Sequence, residues 1–80
     1  MEFLFHSVVD DGNHTKYYNI YRIDNERFFA ECHHFNRERV CEGDFELRKG
    51  GEAWTAAQPG FERAAQIIGE EIERLGHPAS

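Results

Sequence analysis

Cys32, His33, His34 and Cys41 fall close together near the middle of the chain, with His6 and His14 further off. Thiolate and imidazole are the donors that tetrahedral zinc selects. In the strand register derived below, Cys32, His34 and Cys41 share one face of adjacent strands, so the metal alternative is Cys32, His34 and Cys41 with a fourth ligand such as His6. The spacing lacks the tight C-x2-C pairs of the common zinc knuckles. Two other states suit the same residues. The thiols can lie buried as small hydrophobes, or Cys32 and Cys41 can be joined, since facing β-carbons lie about 4.5–5.5 Å apart. The opening Met1-Glu2-Phe3-Leu4-Phe5-His6 has neither the basic region nor the apolar run of an export signal. The expectation is therefore a cytoplasmic protein with reduced thiols, no metal and no cofactor.

A second constellation is aromatic and basic. Tyr17, Tyr18, Tyr21, Phe28 and Phe29 interleave with Lys16, Arg22 and Arg27, a pattern that lets some sheets stack nucleobases. Tyr17, Tyr21 and Arg22 are the predicted binding residues. The chain as a whole argues against polyphosphate: nine Lys and Arg stand against fifteen Asp and Glu, for a net charge of −6. Binding to a phosphate backbone needs the opposite balance. Residues 16–49 are neutral, and the excess acid sits at the two ends. A protein partner or a second copy of the chain is the expected ligand of the aromatic surface, and single-stranded nucleic acid is the alternative.

Signals for catalysis are weak. Ser7 and Ser80 are the only serines, and neither lies in a G-x-S-x-G turn. Gly43, Gly50 and Gly51 build no phosphate-cradling loop. Neighbouring Cys32 and His33 point to opposite faces of a strand, which separates a nucleophile from its base. A non-enzymatic module is the expectation.

The elements that must position these groups follow from hydrophobic period. Phe3 to Val9, Tyr17 to Ile23 and Arg27 to Phe35 read as strands, separated by turns at Asp10–His14 and Asp24-Asn25-Glu26. A fourth strand at 39–48 would pair with the third if the chain reverses at Asn36-Arg37. Cys32 would then face Cys41, Ala30 face Gly43, and Phe28 face Phe45. That pairing gathers Phe28, Ala30, Cys32, Cys41, Phe45 and Leu47 on one side, with Glu31, His33 and Glu46 on the other. Gly50-Gly51 ends the strand, and a helix follows from Pro59 to Leu75. Its apolar stripe is Phe61, Ala64, Ala65, Ile68, Ile72 and Leu75. Thr55 and Gln58 could form a capping box, Ile67 lies on the helix flank, and Gly76 is a natural stop.

The predicted fold is α+β: a three- or four-stranded antiparallel β-meander with one C-terminal α-helix packed on one face. It forms a single domain over residues 1–76, with a disordered tail at 77–80. No apolar run approaches the roughly 20 residues that cross a bilayer. In element order alone the chain resembles plant-type DNA-binding domains and the small antitoxin folds of bacterial toxin–antitoxin pairs. No residue carries over from either. One helix covers one sheet face, so the aromatic residues of the other are left to the solvent or to a partner.

Overall fold

Alternating burial along the chain forces the sheet. The computed structural model describes residues 1–10, 15–33 and 43–77. In it β1 (Glu2–Asp10), β2 (Thr15–Arg22), β3 (Arg27–His33), β4 (Phe45–Gly50) and β5 (Ala53–Ala56) form one antiparallel sheet in the order β1-β2-β3-β4-β5. Helix α1 (Glu62–Arg74) packs across β5, β4 and β1. The α+β meander with a covering helix is as the sequence predicts, with one strand more. Residues 11–14, where a turn is predicted, the span 34–42 containing His34 and Cys41, and residues 78–80 lie outside the described residues.

The β2–β3 turn is tied by one side chain. Asp24 Oδ1 accepts from the backbone N–H of Glu26 and of Arg27, each at 2.9 Å, while its Oδ2 takes the Arg27 guanidinium at 2.9 Å. These bonds hold the Asp24 carboxyl below the ordinary aspartate pKa. Asp is suited to this place because its short carboxylate bonds its own backbone two and three residues on.

The third and fourth strands pair two residues out from the sequence expectation. Phe28 faces Leu47 and Ala30 faces Phe45. A shift of two conserves every side chain's face, so the inward set is unchanged. Gly50-Gly51 is not the end of the sheet. Gly50 pairs with Ala53 across a two-residue turn whose first residue, Gly51, has φ +68°, a conformation that costs glycine nothing and suits a tight hairpin. The chain returns as β5, which carries Trp54 inward.

On the covered face Val9, Tyr18, Ile20, Phe28, Ala30, Phe45, Leu47 and Trp54 meet Ala65, Ile68 and Ile72 of the helix. Phe45 stacks on Phe61 at 4.7 Å and meets Tyr18 edge-on at 5.6 Å. Trp54 meets Phe28 edge-on at 5.6 Å, and its indole lies flat against Gly69, which is buried in α1. Its Nε1–H donates to Glu73 at 3.3 Å, and Glu73 also holds Lys49. Both contacts, Lys49 first, keep the Glu73 carboxyl below its usual pKa.

The helix begins at Glu62 rather than Pro59, after Phe61 as N-cap with no side-chain capping bond. Thr55 and Gln58 are used elsewhere. Thr55 Oγ1 donates to the Arg48 carbonyl at 3.5 Å, and Gln58 Oε1 accepts from the Glu46 N–H at 3.2 Å. At the other end the stop at Gly76 is as predicted: its N–H bonds the Glu73 carbonyl, and the His77 N–H bonds that of Ile72. Leu75, placed on the apolar stripe by its spacing, is 49% exposed because the helix has already ended there. Ile67 is partly buried against the core.

Candidate functional site

The face opposite the helix is built in rows by strand register. Val8 faces Tyr17, which faces His33; His6 faces Asn19, which faces Glu31; Phe3 faces Tyr21, which faces Phe29 and then Glu46. Beyond Phe29 along the strands, Arg27 faces Arg48. Phe3 reaches this side because the β1–β2 register shifts between Phe3 and Phe5. A simple strand would put both rings on one face; the bulge turns Phe3 out to Tyr21 and leaves Phe5 inward opposite Ile20.

A hydrogen-bonded chain runs through these rows. His6 Nδ1 donates to Asn19 Oδ1 at 2.7 Å, Asn19 Nδ2 donates to Glu31 Oε1 at 3.2 Å, and Tyr21 OH donates to the same oxygen at 2.9 Å. The amide oxygen only accepts, which assigns the ring proton to Nδ1. The bonds from Asn19 and then Tyr21 hold the Glu31 carboxyl below the ordinary glutamate pKa, with a smaller contribution from His33. Donating to Glu31 raises the Tyr21 phenol above its ordinary value. At neutral pH the carboxylate is therefore ionised and the phenol keeps its proton.

Around this network the rings are in contact. Phe3 lies 5.1 Å from His6 and meets Tyr21 edge-on at 5.7 Å, while His33 lies 6.3 Å from His6 and 6.2 Å from Tyr17. Phe3 is 47% and Val8 55% exposed, which is high for large apolar side chains on a sheet. Arg27 reaches Glu46 at 3.6 Å as well as Asp24. Arg27, Glu46, Arg48, Thr55, Ala56 and Ala57 line a shallow groove of about 310 Å³ at the edge of the same face.

Of the residues predicted to bind, the fold brings Tyr17 and Tyr21 together on this surface and sends Arg22 elsewhere. Arg22 lies on the covered side, its guanidinium 4.9 Å over the Phe28 ring, where it caps the core by a cation–π contact. The arginines beside the aromatic row are Arg27 and Arg48. His6, Asn19 and Glu31 were not apparent as a unit in the sequence, because register alone joins positions 12 and 13 residues apart.

Cys32 is disulfide-bonded, which corrects the expectation of reduced thiols. A sulfur in a disulfide has no thiolate to offer a metal, and His34 and Cys41 of the metal alternative lie outside the described residues. Among the described residues no cluster of three or more His, Cys, Asp and Glu side chains could hold a metal ion, and no helix is long and apolar enough to cross a membrane. A second recess, of about 150 Å³, lies on the helix side between Val9, Tyr18 and Phe61, smaller than the several hundred Å³ usual for small-molecule sites. No protein-family model, no curated protein and no solved structure matches this chain.

Proposed function

We propose that this domain is a non-enzymatic protein-interaction module that works through the open face of its sheet. The observation that carries the reading is the row Phe3–Tyr21–Phe29, left uncovered by the described residues and flanked by a network that fixes Tyr21, Asn19 and His6 about an ionised Glu31. Aromatic side chains held rigid on a regular surface supply contact area at little entropic cost, as interface hot spots do. The pKa shifts at Glu31 and Tyr21 both lead away from neutrality, which suits recognition better than proton transfer.

Charge favours polypeptide over nucleic acid as the ligand. Among the described residues, Arg27 and Arg48 on this face are matched by Glu31 and Glu46, leaving no cationic excess to displace the counterions of a phosphate chain. The Cys32 disulfide favours an oxidising compartment over the cytoplasm, because such bonds persist mainly there.

Photocrosslinking tests the reading in cells that produce the protein. A benzophenone amino acid in place of Phe29 should give a covalent adduct with one defined polypeptide, identified by mass spectrometry. The same group in place of Glu62, on the outer side of the helix, should give none. An absence of adduct at position 29, or equal capture at both positions, would refute the proposed role of the face.

A further inference from the structure

We infer that the polypeptide this face meets is a second copy of the same chain, docked sheet to sheet about a two-fold axis along the Phe3–Tyr21–Phe29 row. The inference rests on the reading of the open face as an interaction surface and names its partner.

On β3 the charge pattern is self-complementary about that row, while Glu46 at the end of the row meets its own image and is paired within its own chain by Arg27 at 3.6 Å. Along β3, Phe29 has Glu31 two residues to one side and Arg27 two residues to the other, with Arg48 across from Arg27. Rotation about an axis lying along the row reverses the strand direction and keeps each strand over its own counterpart. Glu31 of each copy then comes over Arg27 of the other, with Arg48 beside it. Arg27 already shares Asp24 and Glu46 within its own chain. Arg48 has no ion pair among the described residues, so it is the cation free to answer the partner's Glu31. An isologous contact of this kind makes both ion pairs twice by symmetry. The aromatic row meets its own image between them, so the apolar centre is ringed by opposite charges as interfaces usually are.

The size of the face fits the same occupant. Strands about 4.8 Å apart and some seven residues long give a surface roughly 20–24 Å on a side, or about 500 Å² per copy. Two copies would bury about 1,000 Å², the lower limit for specific association. The dimer is accordingly reversible, dissociating in the micromolar range. The twist of each sheet sets the two strand directions about 30° apart, as in aligned sandwiches.

Sedimentation velocity over roughly 5 to 500 µM protein tests this, with circular dichroism as the check on folding. The wild-type chain should pass from monomer to dimer across that range. Arg48→Glu sets a carboxylate beside the partner's Glu31 and should weaken the dimer about tenfold or more, as should Glu31→Lys. The double variant Arg48→Glu/Glu31→Lys restores opposite charges and should recover most of the lost affinity. A chain that stays monomeric at the highest concentration would overturn the inference, as would a dimer indifferent to Arg48→Glu. The benzophenone at position 29 separates the two levels. An adduct with a different protein, together with a monomer in sedimentation, overturns self-association and leaves the interaction surface standing; no adduct at all removes both.

Discussion

Gly69→Ala is expected to destabilise the domain by about 2–4 kcal/mol, against the usual rule for a glycine in a helix. Alanine is the better helix former by about 1 kcal/mol, so an unhindered site would gain stability. Here an added Cβ would lie 2.0 Å from Trp54 Cγ, 2.1 Å from Cδ2 and 2.5 Å from Cδ1. The indole cannot slide away cheaply. Trp54 is 4% exposed, wedged against Phe28 and tied through Nε1–H to Glu73. Overpacking of this kind costs about 1–3 kcal/mol and more when a large side chain is expelled. For a domain of this size the loss corresponds to roughly 10–25 °C in Tm. Thermal unfolding measures it, and a cycle with Trp54→Ala isolates the cause. In that background the added methyl has room, and Gly69→Ala should become neutral or stabilising. Equal stability of Gly69→Ala and wild type would show that the helix does not lie on Trp54.

Phe45→Ala should cost about 3–5 kcal/mol, the range for removing a fully buried phenylalanine. Phe45 has no exposed surface and bridges two parts of the core, edge-on to Tyr18 of the sheet and stacked on Phe61 at the start of the helix. A small domain has a total stability on the order of 5–10 kcal/mol. The variant should therefore show a large unfolded fraction by urea titration at 25 °C. Phe29→Ala, with its ring on the open face, should lose far less. Equal losses would mean that both faces are packed.

How far the sequence determined these features is clear from single elements. Period-2 alternation sorted Phe28, Ala30, Phe45 and Leu47 inward and Glu31, His33 and Glu46 outward, and the structure keeps that sorting. It did not fix the β3–β4 register, because a slip of two residues leaves every face unchanged and only the loop length separates the alternatives. β5 was hidden by its four residues and by Gly50-Gly51, which punctuates a hairpin as readily as the end of a sheet. Nothing in the residues around Gly69 marks it as the seat of Trp54, fifteen residues earlier. At the site, Tyr17 and Tyr21 stood out by residue type. Arg22 did not join them because the strand's own alternation, one residue on from Tyr21, points it to the other face. Phe3 escaped notice through the bulge at Leu4, which no hydrophobic pattern announces.

Among the described residues the helix seals one face of the sheet and leaves the other open in the single chain. Relaxation of aromatic ring protons by a soluble gadolinium chelate, measured on dilute protein, reads this directly. Phe3, Tyr21 and Phe29 should relax strongly, while Tyr18, Phe28 and Phe45 should scarcely respond. Tyr21 and Phe29 as well shielded as Tyr18 in the dilute monomer would contradict it.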